Sequence, residues 1–274
     1  MNKLDYRTLH EALRTQGRYE TPAEHRPTHP VKTSFFHTLE GARVVAIDVV
    51  GMCAWLTLRK RFDYLDWARL CTRSINFAER LGATVTLENF LPRAQHAGPV
   101  VYVSNHMSTF ETIVLPASLT AFGELSIILK KSLTEIPYVG DTARALGCIP
   151  VTRKNVKEDL MTVLEVGTQR LKDGKSVLLF PQGTRQAVFE SKRFNSLGAK
   201  LAERAGVPLV PLAVQTDFMK TGKVVKDFGP IDPTRPVRFC CGPLFSPELG
   251  AKKAHEQSVA WMAEKLREWG LPVA

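Results

Sequence analysis

The chain has 274 residues, of which 44% are hydrophobic and 23% charged, and it carries a formal charge of +10. That length and balance support one sizeable core and exclude wholesale disorder. The positive excess suits an anionic partner, whether nucleic acid, an acidic lipid surface or a phosphorylated substrate, and five cysteines without C-x-x-C spacing exclude a disulfide scaffold or a zinc site of that type and fit reduced thiols.

Residues 1–36 form a polar extension with Pro22, Pro27 and Pro30 close together. A short helix near 4–17 followed by an extended connector is expected. The first twenty residues are too polar for a secretory signal.

Residues 44–58, VVAIDVVGMCAWLTL, are the most apolar run. As a helix they span only about 22 Å against roughly 30 Å of hydrocarbon, and Asp48 interrupts them, so a full transmembrane span is not expected. Arg59-Lys60-Arg61 follow directly, then Phe62, Tyr64 and Trp67. An apolar helix flanked by cations and aromatic rings fits an element lying in a membrane interface, here residues 37–82. A core helix with a solvated basic end is the competing reading.

From residue 83 to the end, short apolar runs alternate with amphipathic stretches. Strands are expected at 83–88, 99–104, 125–130, 147–152, 176–180, 208–215 and 236–241. Helices are expected at 62–81, 108–121, 155–172, 191–206 and 252–269. The 155–172 helix is marked by Asn155 as cap, Glu158 three residues on, and Gly174 at its end. The alternation points to an α/β fold with a central, largely parallel sheet flanked by helices.

Two constellations carry chemistry. Ser104-Asn105-His106-Met107-Ser108-Thr109-Phe110-Glu111 follows the strand at 99–104, and strand ends are where ligands bind in α/β sheets. A neutral imidazole is a general base near neutral pH and gains from a carboxylate that fixes its tautomer. Five residues along a helix turn about 500°, so the two side chains meet only if His106 lies at or before a helix start and Glu111 in its first turns. Asn105 and Ser108 are candidate caps for such a start. Alone, a histidine that merely closes a turn fits as well. Phe180-Pro181-Gln182-Gly183-Thr184-Arg185 ends a second strand. Its amides, the Thr184 hydroxyl and the Arg185 fork can hold a phosphate. A plain β-turn with a surface arginine is the alternative. The chain contains no Walker loop, no dinucleotide fingerprint, no G-x-S-x-G elbow and no RNA-binding or finger motif.

In order, Asn105–Glu111, Lys131–Gly140, Gly147–Arg153, Phe180–Arg185 and Val207–Ala213 resemble the blocks of the glycerolipid acyltransferase superfamily, specifically its lysophosphatidate (1-acylglycerol-3-phosphate) acyltransferase branch. The resemblance covers roughly residues 80–245. It implies transfer of a fatty acyl group from acyl-CoA or acyl carrier protein to a lysophospholipid hydroxyl, with no metal or cofactor; the lack of a clear span points to attachment at the cytoplasmic face of a membrane, and the lack of binding motifs ranks a nucleic-acid partner last. The acceptor it points to is 1-acylglycerol-3-phosphate, giving phosphatidate. Another lysolipid acceptor, such as a lyso-aminolipid, and an idle lipid-binding protein are the alternatives. Carried over, His106 is the general base and Glu111 its orienting partner. Arg153, Gly183, Thr184, Arg185 and Lys131 bind the glycerol phosphate. The chain departs from the pattern twice. Glu111 replaces an aspartate, and Gln182 replaces the glutamate of F-P-E-G-T-R, removing a charge expected beside the phosphate.

Overall fold

A computed structural model describes residues 3–25, 34–222 and 227–274. Residues 26–33, the middle of the expected connector, lie outside the described residues. Eight strands form one sheet: β1 (Tyr19–Glu20), β2 (Val85–Glu88), β3 (Val101–Ser104), β4 (Leu125–Lys130), β5 (Ile149–Val151), β6 (Ser176–Leu179), β7 (Leu209–Gln215) and β8 (Val237–Cys241). Their order is β1-β2-β8-β7-β3-β6-β4-β5. The five from β7 to β5 run parallel, β7 and β8 pair antiparallel, and β2 runs with β8. The seven strands expected from apolar runs all form. The two-residue β1 is too short to show periodicity.

Seven longer helical segments surround the sheet: α1 (Tyr6–Thr15), α2 (Phe35–Leu58), α3 (Tyr64–Arg80), α4 (Phe110–Leu119), α5 (Val156–Lys172), α6 (Leu197–Ala205) and α7 (Ala251–Glu268). α5 starts where Asn155 accepts from the Glu158 amide at 3.2 Å. α6 begins later than the expected residue 191. The Asn195 side chain reaches back to the Pro181 carbonyl and accepts the Leu197 amide at 3.0 Å, which fixes the start at Leu197. All five cysteines are free thiols.

The expected helix over 44–58 is too short. Ser34 accepts the Phe36 amide at 3.2 Å, and the residues from Phe35 onward join the run. The 24 residues of α2 reach roughly 36 Å at the α-helical rise. Length therefore no longer argues against a crossing. Its middle, Val44–Gly51, is wound as a π-helix. That winding brings residues five apart together, and Arg43 holds Asp48 by two bonds of 2.9 and 2.7 Å. The charge that interrupts the apolar run is thus paired. Val44, Val45 and Val49 are buried in the same apolar cluster as Leu9, Leu13, Val85, Tyr102 and Val114. One face of α2 is therefore committed to the core.

The carboxyl ends of β7, β3, β6, β4 and β5 share one edge of the sheet, and α2 runs along it. A Cβ on Gly41 would lie 2.5 Å from the Cδ1 end of the Ile231 side chain, in the segment after β7, so the two elements approach closely there. At its other end, Met52–Leu58 packs on the short helix Val139–Ala145, which follows β4.

Candidate active site

β3 has β6 on one side and β7 on the other. The segments leaving these three strands meet at the shared edge, at a switch point of the topology. Asn105 does not cap a helix. Its side chain donates to the Val214 carbonyl at 2.9 Å and accepts the Val214 amide at 2.8 Å, extending the β3–β7 ladder by one side-chain rung. His106 comes next, and α4 starts at Phe110 after an N-cap at Thr109. Ser108 accepts the Phe110 amide at 3.0 Å.

His106 thus precedes the helix while Glu111 lies in its first turn. His106 Nδ1 and Glu111 Oε1 are 2.7 Å apart. Glu111 is fully buried. It accepts the amides of Met107 at 2.7 Å and Ser108 at 2.8 Å, and the Ser108 hydroxyl at 2.8 Å. The Thr216 hydroxyl, just after β7, donates to Oε2. Burial pushes this carboxyl toward protonation. The His106 bond and charge, with Thr216 and the Ser108 amide, outweigh burial and hold its pKa below the ordinary value. With Glu111 ionised, Nδ1 is the donor, and Nε2 is left as a proton acceptor. The imidazole stacks on Phe180 with centroids 4.4 Å apart. That contact limits rotation of the ring.

Gln182 does not lie where the sequence suggested. It is 8% exposed, and its Oε1 accepts the His106 amide at 2.8 Å. Its amide donates to Gln186 at 2.7 Å, and the Gln186 backbone amide donates to the His106 carbonyl at 2.8 Å. Gln182 therefore clamps the His106 backbone instead of facing an anion.

The turn beyond it faces outward. Gly183 has φ of +72°, a left-handed conformation that favours glycine. The Arg153 guanidinium bonds the Gly183 carbonyl. Arg153 itself holds φ of +59°, unusual for a residue with a Cβ. Asp159 in α5 secures it, accepting the amides of Thr152 and Arg153 at 2.7 Å each. The Arg185 guanidinium reaches the Thr109 hydroxyl at the start of α4 and lies 2.8 Å from Asp227. The Thr184 hydroxyl lies 3.3 Å from the Arg185 carbonyl. Arg153, Gly183, Thr184 and Arg185 are therefore gathered at the turn beside His106. Lys131 stands apart, exposed at the start of a one-turn helix after β4, beyond β6 in the sheet.

Thr216, Gln186 and Asp159 carry no motif in the sequence, and Phe180 enters there only as the first residue of its block. Thr216 lies 105 residues from Glu111, and its only signal is its place at the end of an expected strand. Asp159 looks like any first-turn acid on a helix.

Three comparisons bear on this arrangement. A family model described as Acyltransferase matches residues 83–215. A 1-acyl-sn-glycerol-3-phosphate acyltransferase of Pseudomonas aeruginosa is 30% identical over 215 residues, 77% of this chain and 79% of that protein. One from Escherichia coli is 30% identical over 132 residues, 46% of this chain and 51% of that protein. Among solved structures, the 1-acyl-sn-glycerophosphate (LPA) acyltransferase PlsC from Thermotoga maritima aligns with a TM-score of 0.58 at 16% identity, covering 86% of this chain and 95% of that one. That likeness carries the fold.

Proposed function

This chain belongs to the glycerolipid acyltransferase superfamily and is an O-acyltransferase of phospholipid synthesis, and from that premise we propose that it acylates 1-acylglycerol-3-phosphate to phosphatidate. The observation that carries the proposal is the imidazole–carboxylate pair beside an arginine-bearing turn at the carboxyl ends of parallel strands. A base next to an anion-binding turn is what a phosphorylated alcohol needs. The names of the relatives supply the acceptor.

In this reading the acyl donor is a thioester, acyl-CoA or acyl carrier protein, and no metal takes part. His106 Nε2 takes the proton of the acceptor hydroxyl while Glu111 steadies the charge on the ring. The oxygen attacks the thioester carbonyl, and a tetrahedral intermediate forms. The C–S bond then breaks, and the leaving thiolate takes the proton back from His106. The ester is formed and no acyl-enzyme is made. Arg153, Arg185, Thr184 and the Gly183 turn hold the phosphate. Asp227, exposed beside Arg185, gives way to the incoming phosphate. Because Gln182 faces the His106 backbone, its replacement of a glutamate no longer argues for a different head group.

The test is thiol release from palmitoyl-CoA with a panel of lysophospholipids. Release that requires lysophosphatidate is the expected result. Release with another lysolipid keeps the chemistry and changes the acceptor, and no release with any acceptor, from CoA or carrier protein, overturns the reading. Arg185→Ala should raise the acceptor KM about ten- to hundred-fold, the worth of a charge-assisted bond, with a smaller change in kcat. An unchanged KM removes Arg185 from the phosphate site.

A further inference from the structure

The large apolar side chains that stay exposed among the described residues are not scattered. Apart from Leu91, they lie on α2 or on segments that leave the carboxyl ends of β4, β5 and β6. Leu133, Ile136 and Tyr138 are 42%, 46% and 55% exposed, in the stretch after β4. Tyr138 has φ of +67°. Its backbone holds an unfavourable conformation while its ring gains little packing, a combination found where function requires it. The next residues, Val139–Ala145, pack on Met52–Leu58 of α2, with the Thr57 and Thr142 hydroxyls 3.4 Å apart. Exposed Trp55 and Leu58 therefore sit on an element in direct contact with the one that Leu133–Tyr138 lead into.

Cations border both sets. Arg59, Lys60 and Arg61 follow Leu58, Lys130 and Lys131 precede Leu133, and all five are exposed. Glu135 is the single acid between residues 125 and 140. Apolar side chains with a basic border match an anionic bilayer surface, where apolar groups enter the acyl region and cations stay with the head groups.

We propose that residues 133–138 form a second membrane-contact element, which docks together with the Trp55–Arg61 end of α2 on an anionic lipid surface. The docked surface belongs to the edge of the sheet that carries His106, so an acceptor lipid reaches the site from the bilayer without crossing water. This rests on the lysophospholipid reading for its purpose, and vesicle binding and hydrogen exchange decide it, with activity serving only as a control.

The full chain is floated with vesicles of equimolar phosphatidylglycerol and phosphatidylcholine. Leu133→Ser with Ile136→Ser should lower the bound fraction about ten-fold. Acyl transfer to a short-chain, monomeric lysophosphatidate should stay within about two-fold of wild type, which reports an intact fold. Independently, backbone amides of residues 132–138 in the wild-type chain should gain hydrogen-exchange protection when vesicles are added. Wild-type binding by the double variant, or unchanged exchange in this stretch, overturns the proposal. Vesicle protection here without transfer to any lysophospholipid would leave the surface standing and remove the acceptor reading instead.

Discussion

His106→Ala should lower kcat by about 10²- to 10⁴-fold, the range that a positioned general base contributes, with little change in the acceptor KM. The split follows from geometry. His106 Nδ1 is spent on Glu111, so in the proposed reaction Nε2 is left for the substrate and acts on the reacting hydroxyl instead of on the phosphate. The backbone at 106 is held independently of the ring, through Gln182 and Gln186. The alanine variant should therefore keep its circular dichroism and its urea midpoint. Turnover within ten-fold of wild type would take the base role away from His106.

Glu111 should separate stability from chemistry. Glu111→Ala strips the acceptor from the Met107 and Ser108 amides and from two hydroxyls in a fully buried position. That should cost about 3 kcal/mol of stability or more, read from urea unfolding. Glu111→Gln keeps an acceptor oxygen for the backbone amides, so it should cost much less stability. Activity should still fall about 10²- to 10⁴-fold, because the oxygen that takes the place of Oε1 serves the backbone amides and His106 Nδ1 but carries no charge to steady the imidazolium that forms. Acid behaviour supplies a second readout. The Glu111 pKa lies below its ordinary value, so the unfolded chain binds the proton first as pH falls. The stabilisation is complete above the free-carboxylate range of about 4.3 and is lost as pH falls through the lower folded value. Glu111→Gln should flatten the stability profile in that window. An unchanged acid profile would show that the carboxylate does not carry this stabilisation.

The strands and most helices were legible because buried parallel strands are continuous apolar runs and helices repeat on one face. The start of α6 was not, since Asn195 bonds a carbonyl from another strand's end. The length of α2 was hidden by Asp48, which reads as a polar interruption until π-helical winding pairs it with Arg43. At the site, the spacing of His106 and Glu111 required a helix beginning between them, and α4 begins there. Gln182 shows the limit. Its neighbours Gly183 and Arg185 face outward, yet its own side chain turns inward to the His106 amide. A motif in one dimension does not say which way each member points, and Thr216 is brought in by β7 with no local signal at all.

The clamp between Gln182 and His106 also ties two measures of the acceptor together. The same short stretch holds the base by Gln182 and, three residues on, presents Arg185. The span from the proton-accepting nitrogen to an anion held at Arg185 is then fixed by a few bonds of one turn, as on a ruler. On the proposed reading, such a turn discriminates by spacing: it would admit an alcohol a set number of bonds from its phosphate and reject a longer-bridged isomer of identical charge. Regiochemistry, on this view, is written into a single loop.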